Sequence, residues 1–287
     1  MTGENAKMNV WYKQGTILQD EIRQTDLPDF LLAVWYIGQM GAVVKWRDTV
    51  ISFDPVLNDL KNADGLSRRH YEPPFTPETW MEPDYVIGTH WHADHINLQT
   101  LLPMAKNNLQ VKFIAPEPEK KKLICGGVTE KRVTGARAGE SLQLAKDIFL
   151  HPVAASHETY ETDSDGNYCN LGYVLECGKI KFYHAGDTIV TEKLIEDVKA
   201  FGKIDIACLP INGNDFERRQ RKIIGNMDCH DAAFFANQIG ADITIPMHYD
   251  MVVGNEADPL NFLNYMQEKY PGKKTHIMCL GERMIYG

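Results

Sequence analysis

The sequence predicts an α/β protein of the α+β type, with two β-sheets sandwiched by helices. Short apolar segments rich in β-branched residues occur in both halves of the 287-residue chain, separated by glycine-rich or charged turns. Segments with helical spacing, several of them closed by glycine, lie between the strands. No repeat or low-complexity linker interrupts this order. We therefore expect residues 1–287 to form a single domain.

The first half of the chain begins with a predicted helix, TILQDEIRQT, whose apolar residues share one side. The segments FLLAVWYIG, GAVVKW and TVISFDP follow and are typical of successive antiparallel strands. The stretch 56–83 is polar and rich in proline, which excludes regular structure from its second half. Long loops of this kind inside a compact domain are usually functional or mobile. YVIG then predicts a strand, and INLQTLLPMA a helix.

The second half alternates strands and helices. VKFIAP and DIFLHPVAA predict strands, with PEKKKLICGG between them as a helix that ends at Gly126. LGYVLECGKIKFYHAGD predicts a hairpin that turns at residues 177–179. After it come a helix in VTEKLIEDVKAFG, a buried strand in KIDIACLPI, a helix capped by Asp228 and a final strand in ADITIPMH.

Composition narrows the classes of function. A hydrophobic content of 44% with 24% charged residues is ordinary for a soluble globular protein. The net charge of -9 offers no general attraction to nucleic acid or to an anionic membrane. No apolar run approaches the ~18 residues of a membrane span, and the first residues lack the pattern of a secretory signal. The six cysteines form no CxxC pair, which favours a cytoplasmic protein with reduced thiols. We also expect a homo-oligomer, without nucleic-acid or membrane partners.

The segment GTHWHADHIN carries four strong metal ligands directly after a predicted strand: His90, His92, Asp94 and His95. Side chains alternate along a strand, so His90 and His92 point the same way. The chain then turns into a helix, which lets Asp94 and His95 face a second point a few ångströms away. A polar loop rich in histidine is the alternative interpretation. The metal hypothesis requires further ligands elsewhere in the chain.

Three polar residues supply those ligands, each at the end of another predicted strand. His157 follows IFLHPVAAS, Asp187 follows IKFYHAG and His248 follows DITIPM. Two metals about 3.5–4 Å apart need a bridging carboxylate and further imidazoles, and this set provides both. His151 lies in the same strand region as His157 and competes with it for the third position. The expected end of the strand favours His157.

The order of these motifs resembles that of the metallo-β-lactamase superfamily over nearly the whole chain. The motifs are Asp54 in SFDP, HWHADH, His157, HAGDT and IPMHYD. The resemblance implies an αββα sandwich of two mixed sheets, with the site at one edge between them. It also implies two ion sites that share a carboxylate: His90, His92 and His157 for one ion, Asp94, His95 and His248 for the other, and Asp187 bridging them.

The resemblance assigns roles to further residues around the ligands. Asp54 is a second-shell residue that supports the ligands, as outer carboxylates do in metal sites. His184, three residues before Asp187 on the hairpin, is expected to be packed or second-shell. Hydrolysis is the default chemistry, because a metal-activated hydroxide attacks a carbonyl or phosphoryl centre at neutral pH. Asp94 is expected to act both as a ligand and as the catalytic proton acceptor.

Within the superfamily the chain is most similar to the L-ascorbate-6-phosphate lactonase group. The residues that carry this finer resemblance are DEIRQTDLPDFLLAVWYIGQMGAVVK, FYHAGDT, the NGND turn at 212–215 and IPMHYDM with ADP at 257–259. It implies a metal-dependent lactonase that opens a phosphorylated sugar lactone with two divalent ions. Those lactonases have an acidic residue in place of His157. The additional histidine makes zinc a candidate metal as well as manganese.

A basic cluster bears on the substrate, which we expect to be a small anion. The stretch NDFERRQRKIIGN carries Arg218, Arg219, Arg221 and Lys222, and guanidinium groups can hold a phosphate bidentately. We expect Asn214, Arg218 and Arg219 to bind substrate. A solvated basic loop is an equally simple interpretation, and residues 68–70 (Arg-Arg-His) form a second, weaker candidate. A phosphodiesterase or nuclease and a non-catalytic metal-binding protein stay as alternative functions.

Overall fold

A computed structural model describes residues 10–221, 223 and 225–287. Its α-helices are α1 Gly15–Gln24, α2 Leu98–Asn107, α3 Glu117–Cys125, α4 Glu192–Lys199, α5 Phe216–Gln220, α6 Cys229–Gln238 and α7 Pro259–Lys269. The strands of its first half are β1 Leu32–Gly38, β2 Gly41–Trp46, β3 Thr49–Phe53, β4 Tyr85–Ile87, β5 Lys112–Pro116 and β6 Val133–Ala136. The later strands are β7 Leu142–Ala145, β8 Ile148–Ala154, β9 Leu171–Cys177, β10 Ile180–His184, β11 Ile206–Pro210, β12 Ile243–Met247, β13 Lys274–Thr275 and β14 Arg283–Tyr286.

The strands form two seven-stranded sheets, in the orders β14-β1-β2-β3-β4-β5-β6 and β13-β12-β11-β10-β9-β8-β7. In the first sheet the pairings from β14 to β3 are antiparallel and those from β3 to β6 are parallel. In the second sheet the pairings from β7 to β10 are antiparallel and those from β10 to β13 are parallel. Both sheets are therefore mixed, as the sequence predicts.

Three apolar clusters define the layers. The central cluster joins the inner faces of the two sheets, where Phe53 of β3 packs against Tyr173 and Phe182 of the other sheet. A second cluster buries the apolar side of α1, including Leu18, against the outer face of the first sheet. A third packs α4, α6 and α7 on the outer face of the second sheet, with Phe235 fully buried. The layer order is helix, sheet, sheet, helix, and the predicted fold class is confirmed.

The predicted elements match the structure closely. The hairpin turns between β9 and β10, and the carboxylate of Asp228 caps α6 by accepting from the amide nitrogens of His230 and Asp231 at 2.8 and 2.9 Å. The sequence interpretation omitted β6, β7, β13, β14, α5 and α7. Within the described part of the chain, no helix is both long enough and apolar enough to cross a membrane.

Candidate metal centre

The predicted ligands converge at one edge of the sandwich because each follows the carboxyl end of a strand. His90 comes shortly after β4, His157 after β8, Asp187 after β10 and His248 directly after β12. The strands β3 to β5 are parallel to one another, as are β10 to β12. Their carboxyl ends therefore meet at one edge of each sheet, where open α/β sheets bind ligands.

One group of candidate ligands consists of three imidazoles. His90 Nε2 lies 2.8 Å from His92 Nδ1. The ring of His157 lies 5.1 Å, between centroids, from each of those two rings. One ring nitrogen from each residue falls within 4.8 Å of the others, so the trio can hold an ion. We call these three residues the imidazole side of the centre.

A second group combines a carboxylate with two imidazoles. Asp94 Oδ2 lies 3.8 Å from His95 Nε2 and 3.4 Å from His248 Nε2. These atoms also fall within the spacing that a single ion spans. We call Asp94, His95 and His248 the carboxylate side of the centre.

Asp187 lies between the two sides. Its Oδ1 is 3.3 Å from His95 Nε2, and its Oδ2 is 3.2 Å from His248 Nε2 and 3.8 Å from His157 Nε2. It also groups with His90 and His95 as a possible set of ligands. The carboxylate thus contacts residues of both sides, which is the placement that a bridging ligand requires.

The residues fit a divalent metal. Among the described residues, two buried ligand atoms that lie 3.3 Å apart, His95 Nε2 and Asp187 Oδ1, have no hydrogen-bond partner. Buried polar atoms are almost always paired, so two unpaired atoms at one point call for a ligand. Imidazole and carboxylate are ligands that zinc and other first-row metals accept.

The charges on the two sides differ. Burial lowers the pKa of His90 well below its usual range and that of His157 to about 4, in spite of the nearby Asp187 carboxylate. For His248, burial works in the same direction, but Asp187 and Asp94 outweigh it and raise the pKa to about 9. The imidazoles of His90 and His157 are therefore neutral and offer lone pairs on one side, whereas the imidazolium of His248 faces carboxylates on the other.

The neighbouring imidazoles lower the pKa values of the two carboxylates. Burial favours the neutral acid of Asp94, but the neighbouring His95 and His248 lower its pKa below the usual range. The same two imidazoles lower the pKa of Asp187 well below its usual value against the effect of burial. Both carboxylates are therefore ionised and ready to bind a cation.

Asp54 lies directly after β3 and contacts His95 from behind. Its Oδ2 lies 2.8 Å from His95 Nδ1, and its two oxygens accept hydrogen bonds from the backbone nitrogen and the hydroxyl of Thr89 at 2.8 and 2.7 Å. A proton held on Nδ1 leaves Nε2 of His95 as the lone pair that faces the site. Asp54 therefore lies where a carboxylate that supports the ligand His95 is expected.

Gln39, which the sequence interpretation missed, contacts two residues of the carboxylate side. Its Nε2 donates to Asp94 Oδ2 at 2.8 Å and lies 2.9 and 3.3 Å from the two ring nitrogens of His248, so the amide rests against the ring. Its carbonyl accepts from the backbone nitrogen of His248 at 2.9 Å. Both Gln39 and His248 have positive φ, 57° and 62°. Such strain in non-glycine residues persists only where the surroundings hold it.

Asp250 buttresses this contact and was also missed. The half-buried carboxylate accepts from the hydroxyls of Tyr36 and Tyr71, both at 2.8 Å, and from the backbone nitrogen of Gln39 at 3.2 Å. Burial raises the pKa of Asp250, while these donors lower it. The hairpin turn that carries Gln39 is thus tied to the segment that follows His248. The polar dipeptide after MH in IPMHYD was the available signal.

Two other histidines lie apart from the cluster. His151 points away on β8, where its Nδ1 lies 2.7 Å from Ser141 Oγ. His184 is fully buried, stacks on Phe53 at 5.0 Å between centroids, and its Nε2 lies 2.7 Å from the carbonyl oxygen of Met40. His184 therefore anchors the same hairpin turn from below.

A cavity of about 820 Å³ opens over the centre. Its walls include the candidate ligands His92, Asp94, His157, Asp187 and His248. Residues of the loop between β3 and β4 and of the segment after β12 complete it, among them Asn58, Asp59, Lys61, Arg68, Val252 and Asn255. The volume lies within the range of sites for small molecules.

The residues expected to bind substrate lie outside this lining. Arg218 bonds to Asp215, to the carbonyl of Glu256 at 2.6 Å and to Asn255 Oδ1 at 3.3 Å. Arg219 donates to the carbonyl and side-chain oxygens of Asn214 at 3.1 and 3.2 Å. Contact of these residues with substrate stays a prediction, and Lys222 lies outside the described residues. Among the described residues, the cations that line the cavity are Lys61 and Arg68, the latter from the weaker candidate segment.

Comparison with known proteins decides the family. The family model described as Beta-lactamase superfamily domain matches residues 49–249, a span that includes Asp54 and every candidate ligand. The chain belongs to the metallo-β-lactamase superfamily. Residues 1–48 precede the match and supply β1, Gln39 and all of β2.

Relatives of this superfamily member include the UPF0173 metal-dependent hydrolases. The protein from Nanoarchaeum equitans (strain Kin4-M) is 31% identical over 67% of this chain and 81% of its own length. The one from Alkaliphilus metalliredigens (strain QYMF) is 30% identical over 73% of this chain and 88% of its own. Our metallo-β-lactamase superfamily member is accordingly a metal-dependent hydrolase, with His/Asp clusters that can bind metal.

A solved structure shows the same fold. Igni18, a metallo hydrolase from the archaeon Ignicoccus hospitalis KIN4/I, superposes with a TM-score of 0.68 over 90% of this chain and 99% of its own, at 21% identity. The superfamily fold thus extends over most of the chain, beyond residues 49–249.

Proposed function

We propose that this metal-dependent hydrolase opens a phosphorylated sugar lactone, in the manner of L-ascorbate-6-phosphate lactonase, with two divalent ions, zinc or manganese. The observation that supports it best is Asp187. Its carboxylate lies between an all-imidazole group and a mixed group of ligands, at the floor of a cavity sized for a small molecule. The motifs that resemble the lactonases carry the choice of substrate.

Each ion has a distinct set of ligands in this proposal. The imidazole side, His90, His92 and His157, would hold one ion. The carboxylate side, Asp94, His95 and His248, would hold the other, with Asp187 available to both. When bound, such ions supply a hydroxide nucleophile at neutral pH and polarise the carbonyl that it attacks.

The chain's own residues orient the reaction and handle the proton. Ring opening adds a hydroxyl to the carbonyl carbon, breaks the bond to the ring oxygen and leaves that oxygen in need of a proton. Asp94 is ionised, lines the cavity and keeps 22% of its side chain exposed, whereas His95 beside it is fully buried. Asp94 therefore accepts the proton of the hydroxyl that was added to the carbonyl carbon and passes it to the ring oxygen. Gln39 restrains Asp94 through the bond to Oδ2.

The test is a substrate screen with protein loaded with zinc or manganese, using lactones, phosphodiesters and thioesters. We expect hydrolysis of phosphorylated sugar lactones, loss of it on chelation, and none in Asp187→Asn. Hydrolysis of phosphodiesters with no turnover of any lactone would replace the lactonase assignment with a phosphodiesterase. Turnover that survives both chelation and Asp187→Asn would show that the proposed centre is not responsible.

A further inference from the structure

One wall of the cavity carries the side-chain amide of Asn255, and residues that do not line the cavity fix the orientation of that amide. Asn255 is only 8% exposed and lines the cavity. Its Oδ1 accepts from Arg218 Nε at 3.3 Å and from Asn212 Nδ2 at 3.0 Å. Arg218 Nε can only donate, so the oxygen of Asn255 must face it and the NH₂ group must face elsewhere.

The orientation is supported by a chain of buried amides. Asn226 Nδ2 donates to Asn212 Oδ1 at 3.0 Å, which leaves the NH₂ of Asn212 to donate to Asn255. Asn212 and Asn226 are 2% and 1% exposed. Among residues 10–221, 223 and 225–287, no acceptor pairs with Asn255 Nδ2. Asn255 thus offers a donor at the cavity wall.

Two cations on the loop between β3 and β4 line the same cavity. Lys61 and Arg68 are exposed, and neither side chain has an ion pair or hydrogen bond within the described part of the chain. Their backbone is nonetheless ordered by contacts. The nitrogen of Arg68 donates to the carbonyl of Leu60 at 2.6 Å, and its carbonyl accepts from the nitrogen of Val253 at 2.8 Å.

A buried arginine fixes this loop from below. The guanidinium of Arg69, 3% exposed, donates to the carbonyls of Val56, Asn58 and Tyr71 at 2.9, 3.1 and 3.1 Å. The carboxylate of Asp59 also lines the cavity, and its Oδ1 accepts from the hydroxyl of Ser67 at 2.5 Å. Arg69 is therefore structural, and the neighbouring Arg68 faces the cavity.

We propose that Lys61, Arg68 and Asn255 form an anion subsite that binds the phosphoryl group of the substrate, apart from the metal ligands. This inference rests on the proposed function. Two cations and an amide NH₂ present donors only, and their charge matches a phosphate dianion. In a chain of net charge -9, such a local positive patch is what draws an anionic substrate to the site. Arg218 acts as a positioning residue that turns the Asn255 donor into the cavity.

The first experiment measures kcat/KM for matched phosphorylated and plain lactones in Lys61→Ala/Arg68→Ala. We expect the ratio of phosphorylated to plain lactone to fall roughly ten- to a hundredfold for each lost charged contact. Arg137→Ala/Lys146→Ala removes the same formal charge outside the cavity and should leave the ratio close to that of the parent. An unchanged ratio in the cavity variant would overturn the subsite.

A second experiment tests the amide. Asn255→Asp replaces the donor by a carboxylate and should lower the ratio by more than Asn255→Ala does. Arg218→Ala should lower it by less than Asn255→Ala, because the amide remains but can rotate. Equal ratios in all of these variants and the parent would contradict the assigned orientation.

Binding of inorganic phosphate to the metal-loaded protein, measured by calorimetry, separates the subsite from the lactonase assignment. If no lactone is hydrolysed but phosphate binding weakens in Lys61→Ala/Arg68→Ala, the subsite holds and the substrate assignment fails. If lactones are hydrolysed and phosphate binds that variant as tightly as the parent, the ions alone bind phosphate and the subsite is wrong.

Discussion

The two sides of the metal centre differ in what holds their ligands. On the imidazole side, His90 Nδ1 lies 3.1 Å from the hydroxyl oxygen of Thr89, whereas His157 Nδ1 has no hydrogen-bond partner among the described residues. On the carboxylate side every ligand has a partner behind it. Asp54 supports His95, and Gln39 contacts Asp94 and His248 together.

The difference follows from charge. Neutral imidazoles can lie close together without an ion, whereas a carboxylate and two imidazoles in a buried site need fixed donors and acceptors to keep one arrangement. The carboxylate side should therefore depend more strongly than the imidazole side on residues that do not bind the metal. The predictions below test that contrast.

The largest effect should come from Asp187→Asn, which removes charge from both sides at once. We expect metal content to fall on both sides and turnover to fall by more than about 100-fold. Loss of a residue that only hydrogen-bonds to a metal ligand usually costs less activity than this. Elemental analysis after reconstitution, with kinetics on the same samples, measures both. Two ions retained per chain would show that Asp187 does not bridge.

His157→Ala should disable the imidazole side alone. We expect it to remove close to one ion per chain and to lower turnover sharply, while His151→Ala leaves both near the parent values, since His151 points away from the cluster. Metal titration and activity assays compare the two variants. The opposite ranking would move the third ligand to His151.

Gln39→Leu should weaken the carboxylate side alone, by about 10–100-fold in metal affinity, as losses of outer partners do. Competition titration with a chelator resolves the two affinities. Because Gln39 has a φ of 57°, Gln39→Gly serves as the control, since glycine accepts this conformation without strain. Weakening in Leu but not in Gly would assign the effect to the backbone and contradict a role for the amide.

The smallest effect should come from Tyr71→Phe, which removes one of the donors to Asp250. We expect a loss of about 0.5–1.5 kcal/mol in the free energy of unfolding, with little change in metal affinity. Denaturant unfolding of metal-free protein measures it, with Tyr12→Phe at an exposed position as the control. A larger change in metal affinity than in stability would mean that Asp250 acts on His248 directly.

Much of the fold was predictable because its signals are local. Period-two and helical spacing, glycine closures and the Asp228 cap identify β1 to β5, β8 to β12 and most helices. The helix α7 had its own signal in Asp258-Pro259, since Asp258 caps it by accepting from the nitrogen of Leu260 at 2.9 Å. The strands β7 and β14 carry exposed residues and form only by pairing with β8 and β1.

The sequence by itself determined the types and order of the candidate ligands, because a ligand at a strand end is a local pattern and sheet topology carries it to the shared edge. Only the tertiary structure decided what supports and surrounds them. Gln39 and Asp250 lie 211 positions apart, and Arg218 and Asn255 lie 37 apart. Such contacts depend on how the sheets pack and on backbone angles that residue type alone does not dictate. For the same reason the sequence did not show that, among the described residues, Lys61 and Arg68 are the cations that line the cavity.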